Sequence, residues 1–467
     1  MLLQRIKDLI KSINFRLSDL FFIVGFIPLA VFLIFGQLFM QYPDPEAVEL
    51  KLPAIISLFL VILISWSLYI YLEYKRGNRV NKFITIIFLF LAIIGVIGIV
   101  IQPHNFEMDM VDFNGETHHV SLLISTTHYI FFSFDIVSIL LLIYIGLFIL
   151  PKRFTNMGII KLIGYALFVL CLVLIIYSYI VEKDQYVLFI RAVKELDGRT
   201  IKYVSMQSFI INPNAYGMTL MMGVMFCLIF HSQKPRWWYW LIAIFFYFNM
   251  LFSFCRVSIF ISALLSLIYI YHYLISTINN KKTLKIILLA MLSSLIFIVL
   301  FIMGVCFLFK GKVLPNLYKI LDLFNGQVSL SDRERIWTNT CQLLSSSLPI
   351  SFFFGNGFGL MNEQLLQVNY ADGFQNQYVF PTHNSYLGLF AEGGILYLFA
   401  YIALLIYVGY VFIKCYKKQA SLTITLSFGT LAFSFYSLTE TIHYLVYPFI
   451  FLLLVFYKVC YNKKQAN

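Results

Sequence analysis

The sequence predicts an all-α polytopic membrane protein of about twelve transmembrane helices with one long, partly helical external loop. Three observations carry this. The 467 residues are 61% hydrophobic and only 12% charged, with a mean hydropathy of +0.85, which no soluble globular chain sustains. The apolar runs repeat at about the twenty residues that a hydrocarbon core about 30 Å thick requires. The basic residues alternate from loop to loop: 22 of the 34 Lys and Arg fall in one set of loops and at the two termini.

Taken in order, the spans lie near 20–40, 53–72, 83–101, 128–150, 162–181, 209–230, 237–253, 258–276, 286–309, 388–412, 420–438 and 444–461. Spans one to nine occupy residues 1–309, the external loop 310–387, and spans ten to twelve 388–467, as one integrated membrane domain. Arg5, Lys7, Lys11 and Arg16 precede the first run, and no small-residue cleavage site follows it, so it reads as a retained span. Basic loops stay cytoplasmic, so both termini are expected there and the long loop outside. The net charge of +12 is accounted for by this topology and by anionic lipid, without a nucleic-acid partner. The seven cysteines show no C-x-x-C spacing and read as packing residues.

Residues 102–120 carry His104, His118 and His119 among Glu107, Asp109, Asp112 and Glu116. Imidazole and carboxylate can ligate a metal, but no spacing recurs, and a solvated external loop is expected. Asp135 sits in the outer part of the fourth span, where a carboxylate is costly unless paired or wet. It either lines a substrate cavity or belongs to a buried structural pair.

The outer segment 182–208 holds Lys183, Arg191, Lys194, Arg199 and Lys202, and Leu188, Ala192 and Glu195 recur at helical spacing. It reads as an interfacial amphipathic helix that either binds a lipid phosphate or anchors at the headgroups. In Asn212-Pro213-Asn214 the proline breaks the backbone pattern where the sixth span begins, and the amides serve as caps or meet a sugar hydroxyl. Trp237-Trp238-Tyr239-Trp240 is an aromatic belt.

From Trp237 to Asn280 the only ionised acid or base among Asp, Glu, Lys and Arg is Arg256, in the turn Ser253-Phe254-Cys255-Arg256-Val257-Ser258. An arginine snorkelling to headgroups would come with polar neighbours and a loose turn. This turn is short and apolar, which favours a guanidinium held to bind phosphate.

In the long loop, Ser331-x-x-Glu334 has capping-box spacing and predicts a helix to about Ser346. At about 100° per residue its apolar face is centred on Arg333, while Arg335 falls beside Asn339 and Gln342 and is expected to point to water. A protein-facing arginine needs an anion, either a ligand phosphate or a structural carboxylate. Gly355-Asn356-Gly357-Phe358-Gly359 lacks the Lys-Ser/Thr ending of a phosphate-binding loop and reads as a tight turn that lets backbone approach closely. His383, in Thr382-His383-Asn384-Ser385-Tyr386, stands at the mouth of the tenth span, either as a base for an incoming hydroxyl or as a helix cap. Glu392, in Glu392-Gly393-Gly394, either orients a partner or closes a polar cavity. Glu440 and His443 form one more outer polar patch, to which no role is assigned.

In this order and spacing, Cys255-Arg256-Val257-Ser258, Ser331-Asp332-Arg333 through Trp337 with the glycine turn, and His383-Asn384-Ser385-Tyr386-Leu387 with Glu392-Gly393-Gly394 resemble the O-antigen polymerase and O-antigen ligase superfamily. Asn212-Pro213-Asn214 is similar to a segment of the polymerase branch. The chain departs from the family pattern at Cys255, where serine is usual, and at Asp332, where glycine is usual.

The resemblance implies a C-type glycosyltransferase fold in the bacterial cytoplasmic membrane, metal-independent and without a cofactor. Its substrates would be undecaprenyl-pyrophosphate-linked oligosaccharides as donor and acceptor, polymerised at the outer face, with a flippase and a chain-length regulator as partners. It implies that Arg256 and Arg333 hold the pyrophosphate and that His383 acts on the acceptor hydroxyl. Beside these, Asn384, Asn214, Arg199 and Glu392 are read as candidate substrate contacts. The alternatives are a ligase that moves the glycan to lipid A core, another lipid or a protein, and a transporter or flippase, which should show intramembrane charges and broken helices.

Overall fold

The computed structural model describes residues 16–26, 28, 45–112, 114–154, 158–181, 208, 213–253, 255–278, 333–373 and 382–416, with single positions between 426 and 455. The described chain is mostly helical. In order it forms α1 (Leu17–Phe26), α2 (Pro45–Lys75), α3 (Lys82–Val100), strands β1 (Asn105–Val111) and β2 (Thr117–Leu123), and α4 (Thr126–Tyr144). A π-helical stretch, Ile145–Ile149, and a last turn, Leu150–Arg153, continue α4. Then come α5 (Gly158–Val181), α6 (Pro213–Gln233), α7 (Trp238–Leu251), α8 (Arg256–Thr277), α9 (Arg333–Ser346), α10 (Leu360–Ala371) and α11 (Ser385–Tyr416).

Seven of these helices are long and apolar enough to cross a membrane: Ile56–Lys75, Lys82–Val100, Thr126–Arg153, Ile160–Val181, Asn214–Gln233, Val257–Ile275 and Ser385–Cys415. Each coincides with an expected span. The helices α1 and α7 are shorter. The expected spans near 286–309, 420–438 and 444–461 lie wholly or mostly outside the described residues.

The chain divides into two compact units, one of Met1–Gly158, Leu330–Lys414 and Thr430–Asn467, the other of Ile159–Ser329 and Cys415–Gly429. In the second unit α6 is apolar and buried all round, as Leu220, Met221, Val224, Met225, Leu228 and Ile229 show. It packs on α7 and α8. Pro213 is the first residue of α6, where its missing N–H costs nothing, so it starts this helix cleanly.

In the first unit α4 packs on α2 and α3. One end is closed by buried charge: Arg153 donates to both oxygens of Asp19, at 3.2 and 2.7 Å, and Glu73 accepts from Ser18, Arg76 and Asn78 at 2.8, 2.9 and 2.7 Å. Pairing is what permits carboxylates there.

The segment 102–120 is corrected by the structure. It is an antiparallel hairpin, with Asn105 opposite Leu123 and Val111 opposite Thr117. Phe106, Met108 and Met110 are buried on one face while Glu107 and Asp109 face out. The alternation Phe106-Glu107-Met108-Asp109-Met110 and the Asn114-Gly115 turn were the signals, outweighed by the acidic composition. The described residues are therefore not all helical. The backbone of Val111 exchanges two hydrogen bonds with the Gln342 side chain, at 3.0 and 2.9 Å, which fastens the hairpin to α9.

Candidate active site

The centre of the first unit is a backbone-to-backbone junction between two glycine motifs. Helix α11 is broken at Gly394 (φ 70°, ψ −173°). The break releases carbonyls, and the glycine turn collects them: Asn356 N–H donates to Ala391 at 2.7 Å and Gly357 N–H to Glu392 at 3.0 Å. Gly355, Gly357 and Gly359 all have positive φ. A Cβ on Gly355 would run into the Glu392 carbonyl, and one on Gly394 into the Phe353 carbonyl. On the other side Gly98 of α3 lies against the Phe354 carbonyl, and Gln102 donates to Gly98 and Gly355 at 3.1 and 3.4 Å. The expected tight turn is present, and its role is to seat the chain on the broken span.

Two elements carrying candidate residues are joined by a hydrogen bond. Helix α9 begins at Arg333 and ends at Ser346, as the spacing predicts. Trp337, one turn after Arg333 and about 40° round the helix, donates from Nε1 to the Thr382 carbonyl at 2.9 Å. Arg333 thus stands one turn from the attachment that ties α9 to the residue preceding His383. Both Arg333 and His383 are half-buried.

His383 has φ 48°, a left-handed conformation uncommon outside glycine. Asn384 caps α11, its Oδ1 accepting from Tyr386 and Leu387 N–H, both at 3.0 Å. Asn384, expected to contact substrate, thus has its carbonyl oxygen committed to the helix end. Thr382 is buried, and its hydroxyl donates to the Asn384 carbonyl at 2.8 Å. Tyr386 donates to the Ser434 carbonyl at 3.0 Å.

The expectation that Arg335 points to water is corrected. Its Nε lies 3.2 Å from the Asp372 carboxylate, and it also donates to the Asp372 carbonyl. Asn339 donates to the same carboxylate at 3.0 Å and to Asn369 at 2.9 Å. The buried face of α9 holds Ile336, Asn339, Thr340 and Leu343. It is centred about 70° from Arg333 and about 90° from Arg335, so both arginines flank it. Apolarity misjudged the face because two buried positions are polar and satisfied. Arg335→Ala is therefore expected to lower stability by about 1–2 kcal/mol through the buried Asp372 it leaves behind. Thermal unfolding of the purified variant measures this, and an unchanged midpoint would refute the pairing role.

Glu392 is buried and accepts from Asn362 Nδ2 at 2.7 Å. Asp135 of α4 lies near enough to act on it electrostatically, and its Oδ1 is buried without a hydrogen-bond partner.

Close by in sequence on α10, burial pushes the Glu363 carboxyl up to about 7. The ordinary value of 4.5 applies when the chain is unfolded, so the folded protein holds the extra proton and its stability falls as pH rises from about 4.5 to 7. Glu363→Gln should accordingly raise the unfolding midpoint at pH 8 and leave it unchanged at pH 4.5. The gain at pH 8 corresponds to about 1–3 kcal/mol. An equal shift at both pH values would contradict burial as the cause.

Asp112, Glu116 and His118 offer ligand atoms within 4.8 Å of one another. Their proximity follows from the hairpin turn: Asp112 accepts from the N–H of Asn114 and of Glu116 at 2.9 and 2.7 Å, and His118 Nε2 lies 3.2 Å away. The N–H of Glu116, together with His118, holds the Asp112 carboxyl below its ordinary range.

Arg256 belongs to the second unit, where it is the first residue of α8. Cys255 precedes it, with Sγ 3.0 Å from Ser258 Oγ and N–H donated to Ser253 Oγ at 3.1 Å, so the turn is tight as expected. Asn214, also in the second unit, lies in the first turn of α6. Arg199, Asp332, Glu440 and His443 lie outside the described residues. The Asn339–Asp372–Arg335 network was not anticipated, since nothing in the spacing links α9 to Asp372 across 33 residues.

No protein-family model matches the chain, and a search of curated proteins finds no significant relative.

Proposed function

We propose that this protein polymerises polyprenyl-pyrophosphate-linked oligosaccharide repeats into a cell-surface polysaccharide on the outer face of the bacterial cytoplasmic membrane, with both termini cytoplasmic. The observation that carries the reading is the Trp337–Thr382 hydrogen bond, which joins the helix of Arg333 to the segment of His383 at the mouth of α11. A fixed guanidinium and an imidazole at one membrane mouth suit transfer from a pyrophosphate.

In the reaction the acceptor hydroxyl forms a bond to the anomeric carbon and the bond from that carbon to the pyrophosphate oxygen breaks. His383 takes the hydroxyl proton. Arg333 bears the charge that develops on the leaving diphosphate. This scheme has no step that requires a divalent ion. The sugar sequence is set by the lipid-linked repeat.

A second reading, transport of a lipid-linked glycan, draws on the break in α11 beside Glu392 and Asp135. In transporters such a break presents carbonyls to an ion or substrate. Here the carbonyls of Ala391 and Glu392 are taken by backbone N–H groups of the glycine turn, which weighs against it. Purified protein given lipid-linked repeats decides between them: polymer should form, and EDTA should leave its rate unchanged. Folded wild-type protein that forms no polymer would sink the enzymatic reading. A single transfer to lipid A core without polymer would move it to a ligase.

A further inference from the structure

The segment between the end of α9 and the glycine turn is apolar and exposed, although it belongs to the loop expected outside the membrane. From Ile336 to Asn362 there is no Asp, Glu, Lys, Arg or His. Within that stretch Leu348, Ile350, Phe352 and Phe353 are each 45–53% exposed, on a short helical turn, Ser351–Phe354, and the residues leading into it. Four large apolar side chains left half open within six residues form a patch of the kind that marks a contact with membrane or partner.

Two neighbours fix the height of this patch along the membrane normal. The turn packs on α3, where the Phe354 carbonyl lies against Gly98, two residues before that span ends. It also packs on α11: the Phe353 carbonyl lies against Gly394, and the Phe352 and Phe390 rings meet edge-on with centroids 5.7 Å apart. From the opposite, lysine-bearing ends, α3 rises about 24 Å between Lys82 and Gly98, and α11 about 30 Å between Lys414 and Gly394, at about 1.5 Å per residue. A hydrocarbon core is about 30 Å thick, so both helices bring the patch to its far edge. The exposed apolar stripe of α3, Phe90, Ile93, Ile97 and Val100, ends at the same height.

Lipid tolerates an irregular segment only where its backbone is satisfied by protein. That condition is met here. The N–H groups of Ser351, Phe352 and Phe353 donate to the carbonyls of Leu348, Pro349 and Ile350 at 2.8, 3.3 and 3.0 Å, and Phe354 donates to Ile350 at 3.3 Å. Gly355 donates to Ser351 at 2.7 Å, and Asn356 and Gly357 donate to α11, so every backbone N–H from Ser351 to Gly357 has a backbone acceptor.

We infer that Leu348–Phe353 is a membrane anchor, whose four open side chains insert among lipid chains at the edge of the leaflet beside the His383 end of α11. In the expected orientation this is the outer leaflet. Lipid, and not a second copy of the chain, is the occupant because the patch continues the exposed stripe of a span at the same height. Helix α9 ends two residues before Leu348, so the anchor holds that end of α9 at the membrane surface.

The test uses the full-length protein in nanodiscs of phosphatidylcholine that carries a diazirine on one acyl chain, with labelled peptides located by mass spectrometry after illumination. The peptide holding Leu348–Phe353 should be labelled to within about threefold of the one holding Ile93–Val100. The peptide holding Glu107 and Asp109, on the exposed face of the hairpin, should stay at background. Phe353→Asp should lower the label on its own segment at least about threefold and leave that on α3 unchanged, which also reports that the variant is folded in the bilayer. If Phe353→Asp does not assemble, Phe353→Ser supplies the same comparison. Wild-type protein labelled on α3 but not on Leu348–Phe353 would overturn the inference, and discs that then hold two copies of the chain would assign the face to a second copy. Label on the segment that neither substitution lowers would overturn it as well.

Discussion

Gly394→Ala should leave little folded protein in the membrane, and Gly355→Ala should do the same. The two glycines hold φ of 70° and 74° with ψ near 180°, a region that side chains enter at a cost of about 1–3 kcal/mol. The added methyl groups then meet backbone, not yielding side chains: the Phe353 carbonyl in one case and the Glu392 carbonyl in the other. Relief requires the turn and the broken span to separate, which gives up the two N–H donations to Ala391 and Glu392. The combined loss exceeds about 4 kcal/mol, a large part of a total stability of about 5–15 kcal/mol. Gly409→Ala, on the same helix with nothing within 4 Å of the added carbon, is the control and should be neutral or slightly stabilising. Size-exclusion profiles of fluorescently tagged variants report the folded fraction. A normal profile for Gly394→Ala would show that the two motifs are not locked together.

That junction also marks where sequence reading stops. Span positions were legible because a bilayer sets their length and an apolar run reports it, and all seven described spans fall where expected. The glycine turn was legible as a turn, and Glu392-Gly393-Gly394 was conspicuous inside a span. Nothing in either says that one supplies the hydrogen-bond donors for the other, because no composition signal records which turn answers a broken helix. The two arginines of α9 show a related limit. A wheel assumes that buried means apolar, whereas Asn339 and Thr340 are buried here, Asn339 with Asn369 of α10 as a partner and Thr340 with the preceding turn. Asp135 was visible as an anomaly, and only the fold reveals that its neighbour is Glu392. His383 was chosen for its chemistry and its place before a span, but the left-handed backbone that presents it is not readable from its neighbours.

That backbone makes the sharpest test of the proposed chemistry available. His383→Asn should reduce polymer formation at least about 100-fold while the protein keeps its wild-type unfolding midpoint. Asparagine tolerates positive φ better than most residues, so it preserves the conformation at 48° while removing the imidazole. A general base contributes about 10²–10⁴ in rate, which sets the expected loss. Arg333→Ala should cost a similar factor, since one charge-stabilising donor is worth about 10²–10³. Arg333→Lys should recover only part, because it keeps the charge and loses the planar fork that matches a phosphate. Arg256→Ala should likewise abolish polymer with normal protein levels. Arg335→Ala separates chemistry from folding: its loss should follow the fall in midpoint, because its partner is the buried Asp372. Near-normal transfer by His383→Asn would remove the histidine from the mechanism. Equal damage from Arg333→Ala and Arg335→Ala, with both midpoints lowered, would mean that Arg333 is a folding residue as well and leave the pyrophosphate without its ligand on α9.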